Sequence, residues 1–168
     1  MSKSVEMVTS AGTIRIELDE AKAPETVANF LRYVKAGHYD GTIFHRVIAD
    51  FMIQGGGMKP DMSEKTTRAP IPLESRAGLS NTRGTVAMAR TMVPDSATAQ
   101  FFINVGDNLR LDAANSPDGN GYAVFGKVTD GMDVVDRIKT VPVGNKASHQ
   151  NVPQQPVTIK QATILSEK

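Results

Sequence analysis

One short segment, residues 44–57, holds the densest set of chemically useful side chains in the sequence. Its single arginine, Arg46, lies in an apolar run that continues through Phe51 and Met52 to Gln54 and then to three glycines. Side chains of a strand alternate between its two faces, so Met52 and Gln54 are expected to share a face. A fixed positive donor, an amide and apolar walls suit a substrate that is partly apolar and carries carbonyl groups. No partner for a nucleophile is visible in the segment.

A second candidate segment, residues 84–105, ends in an apolar strand. Alternation places Gln100 and Phe102 on one face of that strand and Phe101 on the other. One phenylalanine can therefore fill a core while its neighbour lines a surface pocket. Taken alone, an adjacent phenylalanine pair is more typical of two rings that are both packed in a core.

Other chemistries have weaker sequence support. The histidines at 38, 45 and 149 are far apart and include no i, i+4 pair, which argues against a metal site. Ser96 lacks the Gly-x-Ser-x-Gly context of a hydrolase nucleophile. No Lys-Ser/Thr follows the glycines at 55–57 at phosphate-loop spacing, so tight turning at a strand end explains them better. We therefore predict neither a metal nor a cofactor.

The composition of the chain further limits the class of protein to which it can belong. The chain has 168 residues, which predicts one domain over 1–168, and its net charge of +1 argues against nucleic-acid binding. It has no cysteine, which excludes disulfides and thiol nucleophiles. No apolar run approaches the ~18 residues of a membrane span, and the first residues lack the apolar core of a signal peptide. These features predict a cytoplasmic protein without membrane contact, and the absence of an apolar surface stripe predicts a monomer.

The rest of the chain must position the candidate site residues, and most of it is predicted to form short strands. Alternating or apolar segments bounded by turn residues predict strands at 5–10, 13–18, 42–47, 51–54, 84–88, 100–105, 122–128 and 157–165. The first two strands form an expected hairpin. Polar segments at 55–72, 115–121 and 140–155 are predicted to be a long surface excursion, a loop and an irregular stretch.

Helical periodicity occurs in two places. In residues 24–36 an apolar stripe recurs at helical spacing, and Pro24 suits the first turn of a helix. A short helix is predicted over 130–139, with Asp130 as its N-cap. Many strands, two helices and no β-α-β alternation favour an antiparallel sheet, whose edges would be hidden by closure into a barrel.

Several motifs, in order, are similar to those of the cyclophilins, which are peptidyl-prolyl cis-trans isomerases. The match covers essentially the whole chain and most resembles the bacterial cytoplasmic members. The motifs lie at residues 44–46, 51–56, 88–90, 99–103, 111–112, 122–126 and 131–135.

The resemblance implies a mainly β fold: a closed antiparallel eight-stranded barrel capped by two α-helices, with the active site on its outer face. It implies rotation about X–Pro bonds by a non-covalent electrostatic mechanism that assists folding. Expected partners are proline-containing peptides and unfolded or folding proteins. The catalytic arginine falls on Arg46. The implied substrate-binding residues are Phe51, Met52, Phe102 and Leu111 around the proline, and Gln54, Gln100, Ala89, Arg90 and Thr91 at the polar contacts.

The sequence departs from the family pattern at a few positions. Tyr122 replaces the rim histidine of the family, Arg90 stands where many eukaryotic members have asparagine, and the loop 113–121 is longer than in short eukaryotic members. Arg110 occupies a position that often holds tryptophan. An apolar ring contact thus becomes a charged one, and the expected binding of cyclosporin A is weak.

Two rivals to the enzyme remain at the level of sequence. The same groove could hold proline-containing segments without turnover, as a chaperone or docking module. A barrel with no site at all would require Arg46, Gln54, Gln100 and Phe102 to be placed together by coincidence. Arg46 discriminates between enzyme and binder, because a pure binder has no need of a donor matched to the transition state.

Overall fold

A strongly curved antiparallel sheet forms the framework of the protein. The computed structural model describes residues 3–166. Eight strands are hydrogen-bonded in the order β10-β1-β2-β7-β5-β6-β4-β3, and β8 and β9 form a separate hairpin. The strands are β1 (Lys3–Thr9), β2 (Gly12–Leu18), β3 (Arg46–Ile48), β4 (Met52–Gly55), β5 (Thr85–Met88), β6 (Phe101–Asn104), β7 (Val124–Asp130), β8 (Val143–Lys146), β9 (His149–Pro153) and β10 (Ile159–Ser166).

The sheet begins with the predicted hairpin of β1 and β2. The two strands pair in full register from Lys3 opposite Leu18 to Thr9 opposite Gly12. Their alternating pattern sends every second side chain inward, and Met7 and Ile14 are completely buried. The hydrophobic effect therefore fixes both the register and the inner face of this hairpin.

The two edges of the curved sheet meet without forming a regular ladder. Ile43 and Thr158 form an isolated antiparallel bridge. Beside it, the Phe44 amide donates to the Val157 carbonyl at 3.0 Å and the Ile159 amide donates to the Thr42 carbonyl at 2.7 Å. The predicted eight-stranded antiparallel fold is confirmed, although closure is looser than expected. The bonds join residues 42–44, which precede β3, to residues 157–159 at the start of β10, and no ladder joins β3 to β10 in the described range 3–166.

Two helices cap the sheet. Helix α1 (Pro24–Lys35) starts with its proline in the first turn and buries the apolar stripe that includes Val27 and Phe30. Helix α2 (Met132–Lys139) buries Val134, Val135 and Ile138. Neither helix in the described range 3–166 has the length and apolar character that crossing a membrane requires.

The predicted N-cap of α2 is wrong. Asp130 is the last residue of β7, and Gly131 precedes the helix with a φ of 99°. The chain turns from strand to helix at this single residue, in a left-handed conformation that favours glycine. A Cβ at Gly131 would also collide with the Thr13 carbonyl oxygen.

Residues 140–155, predicted to be irregular, instead form the β8–β9 hairpin. Lys146 pairs with His149, which leaves Ala147 and Ser148 as a two-residue turn. Both have positive φ, 50° and 68°, in place of the asparagine and glycine that normally occupy such turns. Each left-handed residue costs roughly 1–2 kcal/mol. The sequence therefore lacks the usual turn signal at the point where the chain reverses.

Two other predicted boundaries also need correction. The strand expected at 42–47 is regular only over Arg46–Ile48, because the preceding residues bend to form the edge bridge. The excursion at 55–72 is less exposed than expected. Its Met58 and Met62 are buried in a small cluster with Ile43 and Val152, which packs the excursion against β9.

The sheet has apolar side chains on both faces. Inside, Phe30 from α1 contacts the rings of Tyr39, Phe101 and Phe125, with ring centroids 5.1, 5.7 and 5.0 Å apart. Outside, a separate cluster is centred on Met52, Ala87, Phe102 and Val124. As predicted, the neighbouring phenylalanines of β6 divide between the two faces, which leaves an apolar patch outside the core.

Replacing the central core ring tests this packing. Phe30 is fully buried, so Phe30→Ala is expected to lower the free energy of unfolding by about 3–5 kcal/mol. Urea denaturation followed by circular dichroism measures the change. Leu165→Ala, at a side chain that is 50% exposed, is the control and should stay within about 0.5 kcal/mol of the parent. Equal losses in the two variants would contradict this account of the core.

Candidate active site

A cleft of about 140 Å³ opens on the outer face of the sheet, above the outer apolar cluster. We call it the outer cleft. Its walls come from β3, β4 and β6, the residues that follow β5, the turn around position 110 and the residues that precede β7. It is lined by Arg46, Phe51, Met52, Gln54, Ala89, Arg90, Phe102, Leu111 and Tyr122.

The floor of the outer cleft follows from strand register. Phe102 lies opposite Gln54 on one side and opposite Ala87 on the other. Met52 and Phe102 are only 1% and 4% exposed although they lie outside the main core. The floor is therefore rigid, apolar and shaped before any ligand arrives.

A polar edge runs along one side of this floor. Arg46 and Gln54 are directly paired across β3 and β4. The Arg46 Nη1 donates to Gln54 Oε1 at 3.4 Å, and the Gln54 Nε2 donates to Gln100 Oε1 at 2.9 Å. Gly57 allows this arrangement, because a Cβ there would collide with the Gln100 side chain. The Gln54 amide thus links the arginine to the second glutamine.

The Arg46 guanidinium keeps most of its donors free. Its side chain is exposed, and its bond to Gln54 is long. No carboxylate within residues 3–166 forms an ion pair with it. Arginine stays charged under all ordinary conditions and offers five N–H donors in a rigid plane. A carbonyl or an amide nitrogen in the outer cleft would therefore meet an unpaired cation at its edge.

The opposite wall is built from aromatic rings in edge-to-face contact and a cationic side chain. The Tyr122 ring meets Phe102 edge to face at 5.7 Å between centroids. The Arg90 Cζ lies 4.6 Å from the centre of the Tyr122 ring, and its Nη2 donates to the Gly121 carbonyl at 2.6 Å. In this conformation Arg90 therefore mainly holds the Tyr122 ring in position.

Arg110 makes a similar contact at the far end of the cleft. Its Cζ lies 4.9 Å from the centre of the Phe51 ring. Leu111, the next residue, lines the outer cleft from the end of a short 3₁₀ helix, Leu109–Leu111. The charged group thus covers the outside of Phe51 where the family pattern would place a tryptophan.

Two of the residues predicted for the site lie outside the outer cleft. Thr91 is exposed, and its Oγ1 donates to the Ser96 Oγ at 2.9 Å in a local turn. Gln100 lines a second cavity beside the outer cleft, between the strand pair β3–β4 and the β8–β9 hairpin, and reaches the outer cleft through its bond with Gln54. The other predicted residues line the cleft together.

Buried asparagines behind the walls were not predicted from the sequence. The Asn108 Nδ2 donates to the Phe51 carbonyl at 2.8 Å and interacts with Asn104 Oδ1, also at 2.8 Å. The Asn104 Nδ2 donates in turn to Asn81 Oδ1 at 3.1 Å, and Asn81 donates to Asp112 Oδ1 from its backbone N–H at 2.7 Å and from its Nδ2 at 3.0 Å. These bonds tie the start of β4 to the turn that carries Leu111. An asparagine inside an apolar strand, as at 104, is a usable signal, since a buried amide needs partners.

His45 lies beside the cleft in an unusual state. It is 5% exposed, and its Nδ1 has no hydrogen-bond partner in the described part of the chain. Burial, together with the nearby His149 and Arg46, lowers the pKa of His45 from 6.5 to about 4. Residues 3–166 contain no group of three or more histidine, cysteine, aspartate or glutamate side chains that could hold a metal.

Comparison with known proteins places the chain in a family. Residues 4–164 match the family model "Cyclophilin type peptidyl-prolyl cis-trans isomerase/CLD". The chain is 63% identical to the peptidyl-prolyl cis-trans isomerase cyp18 of Streptomyces antibioticus, over 96% of this chain and 98% of that protein. It is 56% identical to the peptidyl-prolyl cis-trans isomerase B of Escherichia coli K12, over 93% and 96%.

Solved structures agree with this assignment. A crystal structure of a Cryptosporidium parvum cyclophilin type peptidyl-prolyl cis-trans isomerase has a TM-score of 0.80 at 26% identity, with 100% of both chains covered. A second structure of that protein, obtained in the presence of the dipeptide Ala-Pro, has a TM-score of 0.79 at 27% identity, over 98% and 99%. The chain therefore belongs to the cyclophilin-type peptidyl-prolyl cis-trans isomerases, and the resemblance of its motifs is confirmed.

The lowered pKa of His45 gives a testable pH dependence. The unfolded chain binds a proton at this residue below pH 6.5, and the folded protein binds it only near pH 4. Stability is thus expected to fall as the pH drops from 6.5 to 4, by about 3 kcal/mol from this residue alone. His38, whose pKa burial also lowers, adds to the loss in the same direction.

Urea denaturation at steps between pH 7 and pH 4 measures this loss. His45→Asn keeps a polar side chain that does not titrate and should flatten the dependence, while His38→Asn should flatten it less. The lowered carboxylate pKa values of Asp112 and Asp136 affect stability in a more acidic range, so they do not mask the effect. An unchanged slope in His45→Asn would contradict the assignment.

Proposed function

We propose that the outer cleft is the site at which this chain catalyses cis-trans isomerisation of X–Pro peptide bonds. The observation that carries the proposal is the free Arg46 guanidinium at the edge of a rigid apolar floor. The chain's membership of the cyclophilin-type isomerases supports the same activity. The reaction needs no bond to break, which fits a cleft whose lining, as described within residues 3–166, includes no nucleophile beside a general base.

The barrier to this reaction comes from amide resonance. Rotation about a peptide bond costs ~18–20 kcal/mol, and uncatalysed exchange at X–Pro takes tens to hundreds of seconds. In the twisted transition state the conjugation is lost, and the prolyl nitrogen becomes pyramidal with a localised lone pair. A hydrogen-bond donor near that nitrogen stabilises the twisted state more than the planar state. Only such a difference lowers the barrier.

Arg46 supplies that donor in our proposal. Its position is fixed by pairing with Gln54 across β3 and β4, and its remaining N–H groups point to no other acceptor in residues 3–166. The linked amides of Gln54 and Gln100 offer contacts to the substrate backbone on the same side. Preorganised charge of this kind requires little rearrangement as the bond twists, and such rearrangement is the main cost of stabilisation by water.

The apolar floor has a complementary role. Phe51, Met52, Phe102 and Leu111 surround a space of about 140 Å³, which we assign to the pyrrolidine ring. Holding the ring still leaves the amide as the part that rotates. Excluding water also lowers the local dielectric constant, so the attraction between Arg46 and the developing lone pair becomes stronger. Ala89, Arg90 and Tyr122 complete the opposite wall.

The substrates we propose are proline-containing peptides and the proline-containing segments of unfolded or folding proteins. One family neighbour was crystallised in the presence of the dipeptide Ala-Pro. We also propose that cyclosporin A binds weakly, because Arg110 places a charge over Phe51 where the family often has an indole ring. The single domain over 1–168, the monomeric state and the cytoplasmic location stay predictions.

Removing the donor tests the mechanism. Loss of one preorganised donor from a water-excluded site costs ~2.7–4 kcal/mol, so Arg46→Ala is expected to lower kcat/KM about 10²–10³-fold. Arg46→Lys keeps the charge without the planar fork of donors, so its kcat/KM should lie between those of Arg46→Ala and the parent. The rate is measured with an Ala-Pro peptide in a protease-coupled assay.

The control for this experiment is another arginine. Arg15 is half exposed on β2 and pairs with Glu6, away from the outer cleft. Arg15→Ala should therefore retain the parent rate. If Arg46→Ala kept activity within threefold of the parent, Arg46 would have no part in the mechanism. If the parent itself gave no rate above buffer, the site would be that of a binding module.

Removing part of the floor should affect binding more than turnover. Phe102→Ala enlarges the space for the proline ring, so we expect a large rise in KM and a smaller fall in kcat. Phe102→Leu, which keeps an apolar side chain, should lie between this variant and the parent. Exchange spectroscopy on a Pro peptide separates the two constants, and circular dichroism verifies that each variant is folded. If Phe102→Ala bound the peptide as tightly as the parent, Phe102 would have no role in binding and would serve only in packing.

A further inference from the structure

A second cavity lies directly beside the outer cleft. It has a volume of about 440 Å³ and runs between the strand pair β3–β4 and the β8–β9 hairpin. We call it the hairpin groove. Arg46 and Gln54 line both the hairpin groove and the outer cleft. A chain whose proline occupies the outer cleft can therefore continue past these two side chains into the groove.

The lining of the hairpin groove is polar. Gln100 contributes an amide whose Nε2 donates no hydrogen bond within the described chain, and Gln150 and Asn151 add two more amides without side-chain bonds there. Glu64 and Arg46 supply one charge of each sign, so the charges offset each other. A groove of this kind suits an uncharged side chain that both donates and accepts hydrogen bonds.

The backbone of the hairpin supports a role in binding. Ala147, Ser148 and Asn151 have φ of 50°, 68° and 60°, and none of them is glycine. This tight turn places His149 next to His45, with ring centroids 6.1 Å apart. Strained backbone tends to occur at functional sites, where its geometry serves a ligand. Here the strained residues are next to or within the lining of the groove.

His45 provides an independent indication. His45 lines the hairpin groove and is only 5% exposed. Its Nδ1 has no hydrogen-bond partner among residues 3–166. Buried polar atoms are nearly always hydrogen-bonded in folded proteins. The imidazole therefore has hydrogen-bonding capacity that the rest of the described chain does not use. A polar ligand in the groove could use it after a small rotation of the ring.

We infer that the hairpin groove is a specificity subsite for an uncharged polar residue of the substrate, such as glutamine or asparagine, a few positions from the proline. The inference rests on the proposed function, because the substrate reaches the groove through the outer cleft. The subsite selects among X–Pro sequences, while the outer cleft acts on the bond itself.

Peptide selectivity tests the subsite. Two sets of peptides share an Ala-Pro centre. The first set carries glutamine or leucine at the second or third position before the proline, and the second set carries them at the second or third position after it. In one of the sets the parent should prefer glutamine by about 3–10-fold in kcat/KM, the range expected for one or two hydrogen bonds. In the double variant His149→Ala, Gln150→Ala the preference should fall to about unity, and Gln150→Leu should shift it toward leucine. Asn145→Ala, on β8 outside the groove, is the matched control and should keep the glutamine preference.

Amide chemical shifts provide a direct readout. The preferred peptide should shift residues 148–151 together with the outer cleft, and a bare Ala-Pro dipeptide should shift only the cleft. Equal rates for glutamine and leucine peptides in both sets, or shifts confined to the cleft, would overturn the subsite and leave the proposed function intact. No turnover of any peptide above buffer would overturn the proposed function, and with it the inferred selectivity.

Discussion

The site depends on one packing constraint: the inside of a small curved sheet is already full. Phe101 occupies the interior against Phe30 and Tyr39, and strand alternation then forces Phe102 outward. The outward ring is nevertheless almost fully buried, because it packs in a cluster with Met52 on the neighbouring strand β4, Ala87 on the neighbouring strand β5 and Val124 on β7. The result is a second, small apolar surface outside the core. We propose this surface as the proline site, because a proline ring is compact and has no N–H group to satisfy.

The electrostatics of the cleft follow from the same strand geometry. Arg46 pairs with Gln54 across adjacent strands, so its position is set by a backbone ladder rather than by a carboxylate. An ion pair would hold the guanidinium more firmly but would also neutralise the charge. An amide neighbour orients the arginine and leaves its field available. In the mechanism that we propose, charge held in this way stabilises a localised lone pair better than a delocalised amide, and this difference lowers the barrier.

The supporting structure is polar where the functional surface is apolar. Asn81, Asn104 and Asn108 form a buried chain of amides that links the Phe51 carbonyl to Asp112. Networks of this kind are costly if one partner is missing, and they hold a unique geometry when every partner is present. The hairpin of β8 and β9, with its strained turn, instead forms one wall of the neighbouring hairpin groove. The cleft is thus fixed from behind by hydrogen bonds and shaped in front by van der Waals contact.

The sequence by itself determined the elements with a strong period and the identity of the chemical groups. The β1–β2 hairpin, helix α1 and the opposite directions of Phe101 and Phe102 could all be read from the spacing of apolar residues, since burial acts on each side chain separately. The β8–β9 hairpin could not be read, because its turn uses Ala147 and Ser148 in a conformation that normally requires glycine or asparagine. Only the tertiary structure decided that Thr91 lies outside the outer cleft and that Gln100 borders the hairpin groove. The placement of Gln100 depends on its contact with Gln54, which is 46 residues away, and the local sequence does not specify a distant partner. Thr91 is held by Ser96 in a local turn, and only the position of that turn in the folded protein shows that it lies outside the cleft.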